Sequence, residues 1–157
     1  MKHSLKVGFS FGLISGIITT LGLIVGLHSS THSKIYIIAG ILIIAITDAL
    51  SDAMGIHISE ESENKHSERE IWESTGATFL AKFIFAMSFV VPVLLFTLNT
   101  AIVVCVGWGG LLVTIFSLFI SRAQPKQRFR IIVEHLALFI LVVLLTHYVG
   151  DWVGKLH

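Results

Sequence analysis

The chain has 157 residues, of which 54% are hydrophobic and 13% charged, against about 25% charged in an average soluble domain. That composition excludes an ordinary soluble domain and predicts an all-α polytopic membrane protein. The net charge of +1, with no basic patch interleaved with aromatics, points away from nucleic acid, and a lone cysteine, Cys105, excludes an internal disulfide or a cysteine-rich metal site.

About 20 mainly apolar residues suffice to cross a bilayer. The first such run is 7–27, which lacks an A-x-A-like cleavage site and reads as a retained span rather than a signal peptide. Within it Gly8, Gly12 and Gly16 recur every four residues, and Gly22 and Gly26 repeat the spacing. Such positions stack on one helix face and let a second backbone approach closely. Tight helix packing is the plain reading; packing around a polar path or at a dimer seam is the sharper one. Ser15, Thr19 and Thr20 add hydroxyls nearby.

The second span, 35–57, carries Asp48 and Asp52. Each carboxylate costs roughly 2.5–3.5 kcal/mol at the centre of a membrane helix, so both are candidate functional groups. Asp48, Ser51, Asp52 and Gly55 share one helical face. With the helix leaving the membrane near His57, Asp48 lies about 13 Å inside. Paired carboxylates in low dielectric resist double ionisation, and a divalent cation could displace the proton they share. The alternative is that each Asp is protonated or bonded to a hydroxyl such as that of Thr19 or Thr20.

Residues 58–76 form a short acidic segment between spans two and three. Glu60, Glu61, Glu63, Glu68, Glu70 and Glu73 face only Lys65 and Arg69. Helical spacing would place Glu63, His66, Glu70 and Glu73 on one stripe, with Glu60 just before it and Ser59 or Ser62 as cap. Carboxylates with an imidazole suit Fe²⁺, Mn²⁺ or Zn²⁺, and an acidic mouth concentrates cations. Taken alone, the segment reads better as a solvated, charge-rich helix, with Trp72 near the interface.

The third and fourth spans, 77–97 and 101–121, meet at a tight turn, Phe96–Thr100, with Pro92 near the end of the third. Lys82 lies one turn inside the third and is expected to snorkel back to the cytoplasmic surface. Pro125 interrupts the loop before the fifth span, 130–150. Glu134 and His135 are expected to pair with Lys82 or with the basic fourth loop, and His147, Tyr148 and Asp151 to mark the outer boundary.

Lys2, Lys6, Lys65, Arg69, Lys82, Arg122, Lys126, Arg128 and Arg130 fall on one side, and only Lys34 and Lys155 on the other. The bias predicts a cytoplasmic N-terminus and an external C-terminus. Five spans do not divide into two equal inverted repeats, so any two-fold symmetry comes from a second copy of the chain. Compactness suits a prokaryotic cytoplasmic membrane.

Ser15–Leu27 (SGIITTLGLIVGL) and Thr47–Glu63 (TDALSDAMGIHISEESE) resemble the vacuolar iron transporter family. The resemblance runs through five spans in order and is specific in the first two. It implies a homodimer that exchanges Fe²⁺ or Mn²⁺ for protons along a path lined by spans one and two. In the family an Asp stands where this chain has Ser15, a Met where it has Asp52 and a Glu where it has Ile56. One path carboxylate has then moved from span one to span two, and loss of a thioether favours harder ions.

The expected protein is a dimeric five-transmembrane-helix bundle that exports divalent metal from the cytoplasm in exchange for protons. Asp48 and Asp52 would bind the ion, with Ser51, Thr19, Thr20 and Ser15 as neutral donors. Glu60, Glu63, His66, Glu70 and Glu73 would collect ions at the entrance. The alternative is a non-transporting membrane module that recruits a partner through its acidic loop. Enzymatic signatures such as H-E-x-x-H do not occur, and no cofactor is expected beyond the transported ion.

Overall fold

A computed structural model describes residues 3–122 and 125–156. Lys2, counted among the cytoplasmic charges, lies outside them. The described chain is helical: α1 (His3–Thr31), α2 (Lys34–Ser62), α3 (Glu68–Ser88), α4 (Val90–Leu95), α5 (Leu98–Ser121), a 3-10 turn (Pro125–Gln127) and α6 (Arg128–Gly154). With α3 and α4 taken together as 68–95, five helical segments are long and apolar enough to cross a membrane. All five expected segments are found as helices; each begins ahead of the apolar run that announced it, and the third ends two residues short of it.

The breaks have local causes. His32 takes a φ of 50° directly after α1, a left-handed conformation that terminates helices. The interruption at Phe89 lies three residues before Pro92, whose ring displaces the carbonyl four residues back and whose nitrogen has no hydrogen to donate. Lys34 Nζ donates to the carbonyls of Leu94 and Phe96 at 3.1 and 3.0 Å, placing a cation at the C-terminal end of α4 where free carbonyls collect.

The acidic segment is shorter than expected. Helix α2 runs on to Ser62, Asn64 takes a φ of 52°, and α3 begins at Glu68. The cap is Ser67 rather than Ser59 or Ser62. Ser67 Oγ accepts from the Glu70 amide, and the Glu70 carboxylate accepts from the Ser67 amide at 2.9 Å, a reciprocal capping box. This turn breaks the stripe drawn through Glu63, His66, Glu70 and Glu73. The first two sit on the turn and the last two on α3.

The chain divides into two compact units, 1–20 with 39–90 and 21–38 with 91–157. In the first, α1 and α3 run parallel with a constant offset. Gly8 lies over the Ser74 backbone, Gly12 over Thr78 and Gly16 over Lys82. A Cβ on Gly8 or Gly12 would strike the opposing carbonyl, and one on Gly16 would come within 2.9 Å of the Lys82 oxygen. The hydroxyls of Ser74 and Thr78 turn back onto their own helix, donating to the carbonyls of Ile71 and Ser74. The seam is therefore backbone against backbone. On α2, the small residues Ala45, Ala49 and Ala53 form a buried ridge.

The second unit repeats the device with α6. Gly22 faces Thr146 and Val142, Gly26 faces Thr146, Gly150 meets the Gly26 carbonyl and Gly154 the backbone of Ser30. The plain reading of the glycine spacing holds: these faces are occupied by other helices of the same chain. Helix α5 packs on α6, where Ser117 Oγ lies 2.8 Å from His135 Nδ1 and Phe139 is buried.

Candidate cation site

Near mid-length of α1, α2 and α3, four side chains of the first unit meet: Ser15, Asp48, Asp52 and Lys82. The Lys82 ammonium, 1% exposed, lies 2.5 Å from Oδ2 of both Asp48 and Asp52. It also donates to Ser15 Oγ at 2.9 Å, and Ser15 in turn donates to Asp52 Oδ2 at 2.6 Å. Contact with Asp52 has hydrogen-bond geometry, whereas Asp48 Oδ2 makes no directed hydrogen bond. Asp48 Oδ2 and the ammonium meet as an ion pair. The carboxylates are 29% and 20% exposed, so each keeps an accessible edge.

Lys82 is the residue that sequence reasoning misplaced. Snorkelling assumed a helix starting near 77. With α3 beginning at Glu68, Lys82 lies 14 residues into the helix, about 21 Å along its axis, and its side chain is only 1% exposed. It has to find its partners inside, and an aspartate pair is on hand. The loop charges therefore number eight against two once Lys82 is set aside. Its position also ends the series Ser74, Thr78, Lys82 against the glycines, and its Cγ passes 3.2 Å from where a Gly16 Cβ would stand. Glycine at 16 makes room for the lysine stem.

The other expected donors separate from this cluster. Thr19 Oγ1 donates to the Ser15 carbonyl at 2.8 Å. Thr20 is fully buried with its hydroxyl unpartnered. Ser51 is exposed, turned away from the alanine ridge.

At the α2–α3 turn, His66 Nε2 approaches Glu60 Oε2 at 3.4 Å and Glu63 Oε2 at 3.9 Å. Glu60 is buried. Glu70 completes the capping box, and Glu73 accepts from Arg69 at 2.9 Å. Beside the turn, a polar cavity of about 210 Å³ is lined by His57, Glu61, Glu68, Ile71 and Trp72. His57 Nδ1 is 3.0 Å from Thr75 Oγ1, and its ring packs edge-on to Trp72. Among the described residues, no group of three or more His, Cys, Asp or Glu side chains is arranged to hold a metal ion.

In the second unit the polar groups pair locally. Glu134 accepts from Arg130 at 2.6 Å, as the pairing with basic residues anticipated. Asp151 accepts from Lys155, and His147 Nδ1 lies 2.7 Å from Ser29 Oγ.

The cluster of α1, α2 and α3 thus presents two carboxylates and a hydroxyl around one cation. Hard oxygen donors of this kind suit Mg²⁺, Mn²⁺ or Ca²⁺ better than soft ions. A comparison with known proteins finds no matching family model, curated protein or solved structure.

Proposed function

We propose that the chain is a membrane cation carrier that exchanges a divalent metal, Mn²⁺ or Fe²⁺, for protons, and that it works as a homodimer exporting metal from the cytoplasm. One observation carries the reading: Asp48 and Asp52 converge mid-helix on a single cation and keep accessible edges. Ionisable groups at this depth are costly, and they mark ion paths more often than packing. The five helices of spanning length and the basic bias of the cytoplasmic loops support it. So does the resemblance of spans one and two to the vacuolar iron transporter family. The family's Asp position in span one is Ser15, which touches Asp52, so the carboxylate has crossed a contact rather than left the site. Glu60, Glu63 and His66 would gather ions at the cytoplasmic end.

Mn²⁺ uptake into proteoliposomes under an imposed pH gradient is the test. Wild-type protein is expected to take up Mn²⁺, and Asp48→Asn/Asp52→Asn to reduce uptake to the protein-free rate; unchanged uptake by the double variant refutes the site.

The closed Lys82–aspartate contact favours a second reading, in which the cluster only holds three helices together and the acidic turn recruits a partner. That version gives no metal-dependent thermal shift, and partner capture that depends on residues 60–73.

A further inference from the structure

We infer that Lys82 is a resident counter-cation, occupying the ion's own position and giving way when the ion arrives, and that it thereby sets selectivity for divalent over monovalent cations. The inference rests on the carrier reading above.

Nζ stands where an ion bound by this donor set would stand, in contact with Asp48 Oδ2, Asp52 Oδ2 and Ser15 Oγ. The ammonium occupies the point where these three oxygens converge. Two carboxylates and one ammonium leave a net charge of −1. A monovalent ion replacing the ammonium would leave the same −1 and would have to displace a tethered rival. A divalent ion brings the site to neutrality, so only it gains by the exchange. The ammonium leaves by rotation about its own stem, so the displacement itself makes and breaks no covalent bond.

The contact is uneven: Nζ has hydrogen-bond geometry to Asp52 and Ser15 but not to Asp48, so the Asp48 side is the less directed one.

Mn²⁺ binding is measured on the purified full chain, as wild type and as Lys82→Met. A site occupied by its own lysine binds with an affinity lowered by the unoccupied fraction, so Lys82→Met is expected to bind Mn²⁺ about tenfold more tightly or better, with Na⁺ no longer excluded. Equal Mn²⁺ affinity in the two proteins overturns the inference. A second measurement needs no variant: wild-type Lys82 is acylated with a small amine reagent and the product quantified by mass spectrometry. Saturating Mn²⁺ is expected to raise modification of Lys82 several-fold. An ammonium that merely steadies the helices would stay protected, and that result also overturns the inference. Wild-type uptake with equal Mn²⁺ affinity in the two proteins would sink the inference alone and leave the carrier reading standing; tight binding by Lys82→Met without binding or uptake by wild type would sink both, since the lysine then never gives way. Binding by neither protein would sink both.

Discussion

Helix α1 meets its two neighbours by the same device, with opposite division of labour. In its first half the glycines are on α1, and they admit the backbone of α3 at Ser74, Thr78 and Lys82. In its second half the closest approach is made by Gly150 of α6, which admits the Gly26 carbonyl, while Gly22 meets the side chains of Thr146 and Val142 and Gly26 lies at ordinary contact distance from the Thr146 backbone oxygen. The first seam ends in a buried charge cluster, the second in a neutral contact between Ser29 and His147. A small residue on one helix permits proximity; what it permits depends on the residue opposite. Where that residue is lysine, close packing brings a buried ammonium against two carboxylates.

The comparison can be broken most sharply at the charges. Without added metal, Lys82→Met should lower stability by about 3–5 kcal/mol, because two part-buried carboxylates lose the cation they share. Ser29→Ala at the neutral seam should cost about 1 kcal/mol. Thermal or denaturant unfolding in detergent reads both, and equal losses would mean that the cluster is no more than another polar contact. Next come the glycines. Gly12→Ala and Gly150→Ala each force a methyl onto an opposing carbonyl and should cost about 1–3 kcal/mol. Gly26→Ala, whose new Cβ would sit 3.5 Å from the Thr146 oxygen, should be near neutral in the same melt. A large loss at Gly26 would show that the two seams are built alike. Ser67→Ala removes the side-chain cap that sets where α3 begins and should cost about 1 kcal/mol. The smallest effect is a gain. Gly55 has nothing within 4 Å of where its Cβ would be, so Gly55→Ala should stabilise the helix by about 0.5–1 kcal/mol.

Much of this was legible in the order of residues. The apolar runs located five helices, the four-residue glycine spacing located the seams, and the isolated acids on α2 located the charge cluster with Lys82. Lys82 escaped because its depth depends on a boundary outside its own run: the apolar pattern begins near 77, but the capping box starts the helix at Glu68. Ser67 and Glu70 were visible as a capping pair, and applying that signal would have placed Lys82 mid-helix. The supposed stripe of Glu63, His66, Glu70 and Glu73 failed for the same reason, since helical periodicity carries no information past a turn. Thr19 could not be told from Ser15 by position alone. Its hydroxyl satisfies the backbone one turn earlier, a common outcome for threonine in an apolar helix.

The parallel pairing of α1 with α3 has a consequence for how the chain is made. Asp52 emerges from the ribosome 30 residues ahead of the lysine that neutralises it. At synthesis rates of about 5–20 residues per second, the acids wait roughly two to six seconds for their partner. For a chain threaded into a bilayer, that interval favours delivery of α2 and α3 together as a hairpin, with the polar trio meeting in the insertion channel before any of it faces lipid.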